Sequence, residues 1–177
     1  MGLKILVIIF FNSKTQKSTI NRYSNYLYSM INLSNITLLL ADDDDDDRVF
    51  FSDVLAEIAI GYSLIITSNG SLLMNMLMLD NVRPHLIFLD LNMPCKNGME
   101  CLAEIKQEKI LENLPVVIIS TSLDKYTVDY VYDHGAKRYL VKPNSFAKMK
   151  EMIKQVLILF LNGKLSSLSK DKFIMQQ

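Results

Sequence analysis

Leu86-Ile87-Phe88-Leu89-Asp90-Leu91-Asn92-Met93-Pro94 decides the reading of this chain. Leu86 to Leu89 is an unbroken apolar run suited to a strand covered on both faces, and Pro94 with Asn97-Gly98 forces a turn soon after it. Asp90 therefore stands at the strand's carboxyl end. In an open parallel α/β sheet, ligands and chemistry collect just outside those ends.

Working outward, strand-like runs recur at Ile36 to Ala41, Leu64 to Thr67, Val116 to Ser120 and Tyr139 to Val141. The segments between them have helical periodicity. Val49, Phe50, Val54, Leu55 and Ile58 form one stripe, Leu72, Leu73, Met76, Leu77 and Leu79 another, and Met99, Leu102 and Ile105 a third. Asp124 to His134 is less apolar and ends at Gly135, a helix stop; Phe146 to Phe160 carries the longest stripe. Strands alternating with helices predict an α/β fold, a five-stranded parallel sheet wound on both faces. The domain is expected over 36–161, with residues 162–177 as a C-terminal tail.

The chain has 177 residues, half of them hydrophobic, and a formal net charge of zero. That length suits one well-filled core. The charge balance gives no basic footprint for nucleic acid. Cys95 and Cys101 match no zinc or redox spacing and read as reduced thiols of a cytosolic protein. Residues 1–35 hold basic residues but no Asp or Glu, and open with the apolar run Ile5 to Phe11. Seven residues are too few to cross a bilayer, which takes about twenty, so no stable membrane insertion is expected. This stretch reads as a dispensable N-terminal extension, disordered or carrying a short amphipathic helix over Ile20 to Ile31.

The acidic run Asp42 to Asp47 begins where the first strand ends, so it should converge with Asp90 on one edge of the sheet. Carboxylates packed together resist ionisation unless a cation joins them, and hard oxygen donors suit magnesium. Asp42 and Asp43, nearest the strand, are assigned to the metal. Asp44 to Asp47 are assigned to solvent and to the favourable end of a helix dipole. An EF-hand loop starting at Asp42 fails because Asp47 and Asp53 stand where Gly and Glu are needed. A flavin-phosphate loop fails because carboxylates would repel the phosphate. The fourth strand ends at Ser120 and the fifth is followed by Lys142-Pro143. A carboxylate nucleophile, a metal site, a cation and a hydroxyl donor at successive strand ends are what phosphoryl transfer to an aspartate requires. His85 and His134 have no partners at metal or triad spacing and read as structural.

These segments resemble the receiver domain of two-component response regulators. The resemblance runs through Leu38-Leu39-Leu40-Ala41-Asp42-Asp43-Asp44, Leu89-Asp90-Leu91-Asn92-Met93-Pro94 with Gly98, Pro115 to Ser120, and Gly135 to Pro143. It implies a flavodoxin-like strand order 2-1-3-4-5. It also implies that Asp90 is the phosphoacceptor, taking its phosphoryl group from a phosphohistidine on a sensor histidine kinase or a histidine phosphotransfer protein. Asp43 would be the more direct Mg2+ ligand, Asp42 would act through water, and the Asn92 backbone carbonyl would be a further ligand. The run of Asp residues also permits the pair to be read as Asp43 and Asp44. Lys142 would pair with the phosphoryl oxygens, while Ser120 and Tyr139 would be the switch residues.

The expected protein is thus a stand-alone cytoplasmic receiver, a phosphoprotein of a phosphorelay that catalyses only its own phosphorylation and dephosphorylation. Its output would be carried to an unidentified downstream protein by the face of the fourth helix, fifth strand and fifth helix. The alternative is a receiver-like scaffold that binds partners without being phosphorylated. A magnesium-dependent phosphatase would need a second acid two residues after Asp90, where Asn92 stands.

Overall fold

The computed structural model describes residues 36–58, 60–166 and 169–176. The expected extension over residues 1–35 lies outside them. Six strands, β1 (Ile36–Ala41), β2 (Tyr62–Thr67), β3 (Leu86–Asp90), β4 (Val116–Ser120), β5 (Arg138–Val141) and β6 (Ile174–Met175), form one sheet in the order β2-β1-β3-β4-β5-β6. All neighbours are parallel. The flavodoxin-like order of the five main strands is as expected, and β6 adds a short sixth at the edge.

Five helices cover the sheet: α1 (Asp45–Ala56), α2 (Gly70–Met78), α3 (Gly98–Gln107), α4 (Lys125–Asp133) and α5 (Phe146–Leu161). On one face α2, α3 and α4 enclose a core that includes Leu39, Leu89, Ile118, Leu102, Val131 and Tyr139. On the other, α1 and α5 enclose Leu38, Phe88, Ile119, Phe51, Met152 and Val156. Every residue of β3 and β4 is buried, as the unbroken apolar runs require of central strands. Each fully buried aliphatic or aromatic side chain contributes about 1.5–3 kcal/mol, so these two layers dominate the stability.

The helix starts explain why the loops end where they do. The Asp44 side chain caps α1, accepting the N–H groups of Asp46 and Asp47 at 2.8 and 3.2 Å. Asn97 and Glu100 form a reciprocal capping box on α3. Asp124 caps α4 and accepts from both the backbone N–H and the hydroxyl of Thr127. These bonds satisfy N–H groups that have no partner inside the helix.

Three details of the predicted stripes differ. Val49 is 61% exposed, and Phe51 takes the buried place on α1 together with Val54 and Leu55, with Ile58 buried just past its end. That set has the i, i+3, i+4, i+7 spacing of one helical face, whereas Val49 lies off it. Leu72 and Leu79 are also exposed, and α2 buries Leu73, Met74 and Leu77 instead. His85 accepts the Thr37 N–H through Nδ1 at 2.9 Å, and the His134 ring stacks on Tyr130 at 3.8 Å. No helix among the described residues is long and apolar enough to cross a membrane.

Candidate functional site

The register of the sheet brings the site together. Ala41 pairs with Leu89, Asp90 with Ile119 and Ser120 with Val141, so Asp42, Asp90, Ser120 and Lys142 lie side by side at one edge. Two of these residues are charged and nearly inaccessible: Asp42 and Asp90 are both buried. A buried carboxylate requires a counter-charge, and Lys142 supplies it.

The Lys142 ammonium donates to Asp42 Oδ2 at 2.9 Å and to Asp47 Oδ2 at 2.6 Å, and lies 3.1 Å from Asp90 Oδ1. Burial alone would lower its pKa, but the hydrogen bonds it donates to Asp47 and Asp42 and the charge of Asp90 outweigh that and hold it above the usual lysine range. Burial pushes the Asp42 carboxyl up, against the pull of Lys142. The other oxygen of Asp90, Oδ2, accepts the Asn92 N–H at 2.6 Å. Both oxygens of the candidate nucleophile are thereby oriented, one by a cation and one by an amide.

The loop after β3 folds back tightly on Asp90 because α3 begins with Gly98. A Cβ at that position would lie 2.1 Å from the Asp90 carbonyl oxygen, and the Gly98 N–H donates to the Leu91 carbonyl at 3.0 Å. The same loop places Cys95 at φ +67, and both Cys95 and the buried Cys101 are free thiols.

At the end of β4, Ser120 is fully buried and its Oγ accepts the Ser122 N–H at 3.2 Å. Tyr139 is fully buried as well, and its hydroxyl donates to the Ser122 carbonyl at 2.5 Å. Burial raises the Tyr139 phenol, partly offset by a hydrogen bond with Ser120. Ser120, Ser122 and Tyr139 thus form one connected group beside the carboxylates.

Within the acidic run the structure separates roles that identical residues conceal. Asp42 is buried on Lys142, Asp43 is exposed beside it, and Asp44 is the helix cap. Asp47, expected to be solvated, reaches back to Lys142. Its signal in the sequence was faint: it stands three residues after the cap, on the first turn of a helix that rises from the same sheet edge.

Among the described residues, no three acidic, histidine or cysteine side chains already converge on a point able to hold a metal ion. The donor chemistry nevertheless fits a small hard cation. Asp42 and Asp90 meet at one ammonium, Asp43 is adjacent, and magnesium commonly takes only one or two carboxylates with water and phosphate oxygens completing its shell.

Fold and site together define a flavodoxin-like α/β protein with an acidic, lysine-anchored site at its strand ends. Residues 38–154 match the response regulator receiver domain. The response regulator Rcp1 of Synechocystis sp. (strain ATCC 27184 / PCC 6803 / Kazusa) is 35% identical over 130 residues, 71% of this chain and 88% of that protein. A chemotaxis protein CheY homologue of Campylobacter jejuni is 32% identical over 71 residues, 40% of this chain and 55% of its own length. The crystal structure of the Mn2+-bound form of Rcp1 matches with a TM-score of 0.66 at 34% identity, covering 71% of this chain and 94% of that one. The phosphorylated cyanobacterial phytochrome response regulator RcpA matches with a TM-score of 0.68 at 29% identity, covering 73% and 96%. The chain belongs to the response regulator receiver family.

Proposed function

We propose that this receiver accepts a phosphoryl group on Asp90 from the phosphohistidine of a sensor histidine kinase or histidine phosphotransfer protein, and uses it to change partner binding or to pass the group along a relay. The observation that carries this reading is the Asp90 carboxylate at a strand end, with Oδ1 on Lys142 and Oδ2 on the Asn92 amide. In the transfer an Asp90 oxygen attacks phosphorus in line, the phosphorus–nitrogen bond breaks, and the imidazole leaves with a proton from solvent. Lys142 neutralises charge on the transferring oxygens.

Asp43 directly, Asp42 through water, Asp90 and the Asn92 backbone carbonyl would hold Mg2+. When bound, the ion supplies positive charge to oxygens of the transferring group. That the similar response regulator Rcp1 has a Mn2+-bound form supports a divalent metal in this receiver. The capping duty of Asp44 supports Asp42 and Asp43, rather than Asp43 and Asp44, as the acidic pair.

The new dianion recruits the Ser120 hydroxyl as a donor, which draws its Oγ away from the Ser122 N–H it now accepts and disturbs the Tyr139 hydrogen bond. The change is read on the face of α4, β5 and α5 as a shift between two packings. The protein acts in the cytoplasm, and turns over no substrate beyond its own acyl phosphate.

The test is magnesium-dependent phosphorylation by acetyl phosphate, read by intact mass on the wild type and on Asp90→Asn. One labile phosphoryl group, lost when magnesium is chelated and absent from the variant, is the expected result. A folded wild type left unmodified by acetyl phosphate and by a set of histidine kinases would sink the reading in favour of a constitutive scaffold.

A further inference from the structure

Lys142 has a partner that phosphoryl acceptance does not call for. Of the three carboxylates around its ammonium, the closest is Asp47 at 2.6 Å, ahead of Asp42 at 2.9 Å and Asp90 at 3.1 Å. Asp47 is held in place by its own helix: its backbone N–H is bonded to the Asp44 side chain at the start of α1. The ammonium therefore sits closer to α1 than to the nucleophile, which it still touches.

An ammonium has three N–H donors, and three carboxylates surround this one. Two of those donors are hydrogen-bonded to Asp42 and Asp47 and the third faces Asp90; a phosphoryl group carries its oxygens farther out than Asp90 Oδ1, so an ammonium that pairs with it must shift outward and one of the two hydrogen bonds gives way. The Asp42 side chain is 4% exposed, and a buried carboxylate loses more than an exposed one when its direct bond to a cation is broken. The Asp47 side chain is 43% exposed, and water can replace the ammonium there at little expense. Asp47 is the partner that yields.

We infer that Asp47 is a positioning residue for Lys142, an anchor that holds the ammonium back while Asp90 is unmodified and surrenders it to the phosphoryl group. This rests on the reading of Asp90 as phosphoacceptor. It makes Asp47 a brake: the contact is present before transfer and lost after it, so it stabilises the unmodified form relative to the modified one.

The experiment compares wild type, Asp47→Asn, Asp47→Glu and Asp46→Asn for the rate of phosphorylation by acetyl phosphate and for the affinity for beryllofluoride. Asp46 is exposed on the same turn and has no ion pair among the described residues, so its variant removes the same formal charge without touching Lys142. Asp47→Asn should raise both quantities by about three-fold or more, with Asp46→Asn within about two-fold of wild type and Asp47→Glu restoring the wild-type values. Thermal melts confirm that each variant is folded. An equal rise in Asp46→Asn would show that only overall charge matters, and a fall or no change in Asp47→Asn would show that the contact is no brake; either result overturns the inference while leaving phosphorylation of the wild type intact. A wild type that neither gains the group nor binds beryllofluoride would instead fail the phosphoacceptor reading, and this inference with it.

Discussion

The backbone N–H of Tyr139 donates to the carbonyl of Phe173 at 3.0 Å, and the two rings lie 6.3 Å apart. An aromatic of the proposed switch is thus joined to a segment beyond α5. Phe173 is buried, its ring meets Tyr132 edge-on at 5.1 Å, and Lys170 is bonded to Asp129 of α4 at 2.7 Å. The C-terminal segment covers the edge of β5 that would otherwise present unpaired backbone groups.

Phe173→Ala should therefore destabilise the fold by about 3 kcal/mol, since it removes a fully buried aromatic and leaves a cavity beside Tyr132 and Tyr139. Urea unfolding measures this directly. A loss below about 1 kcal/mol would mean that the segment is not docked in solution.

Tyr139→Phe keeps the ring and removes only the donor to the Ser122 carbonyl. Leaving that part-buried carbonyl unpaired should lower stability by about 1–3 kcal/mol. Denaturant melts of the two proteins should differ in midpoint and share one slope, because the surface exposed on unfolding is unchanged.

Gly98→Ala places a methyl against the Asp90 carbonyl, where both partners are backbone and neither can swing aside. A stability loss of about 1–3 kcal/mol is expected, with slower phosphorylation because the loop that supplies the Asn92 amide must move. Paired thermal melts and acetyl phosphate reactions test it. A variant normal in both would show that the loop yields to the added methyl at no cost to the site.

Lys106 predicts a pH dependence. Burial, with the charge of Lys137, lowers its amine from 10.5 to about 8, while the amine donates to the carbonyls of Glu112 at 2.8 Å and Leu114 at 2.5 Å. Between about pH 8 and pH 10.5 the unfolded chain then holds more protons than the folded one, so stability at this site rises with pH across that window. Below it both states are protonated and the slope vanishes. Urea midpoints at about pH 7 and about pH 10 should show the rise in wild type, and Lys106→Met should lack that component.

Much of the fold was legible because its signals are local. An apolar run of strand length, closed by Pro or Gly, needs no knowledge of its neighbours to be read, and the alternation of such runs with helical stripes implies the parallel sheet and the edge shared by Asp90, Ser120 and Lys142. Helix phase is less secure: Val49 and Phe51 differ by two positions and by which side of α1 they occupy, and the packing of Phe51 against Phe88 chose between them. The strand Ile174–Met175 carries no periodicity to detect, and forms because Phe173 finds a place between Tyr132 and Tyr139.

The acidic run marks the boundary most clearly. Asp42 to Asp47 are chemically identical, and the run alone says that several carboxylates stand near Asp90, with Asp42 and Asp43 nearest the strand. Burial at the end of β1, capping of α1 and contact with Lys142 fall to Asp42, Asp44 and Asp47 in turn because a strand end and a helix turn point their side chains in different directions. Lys142 arrives from 95 residues further along the chain. No local pattern encodes which of six equal charges it meets; the close packing of α1 on the sheet decides that.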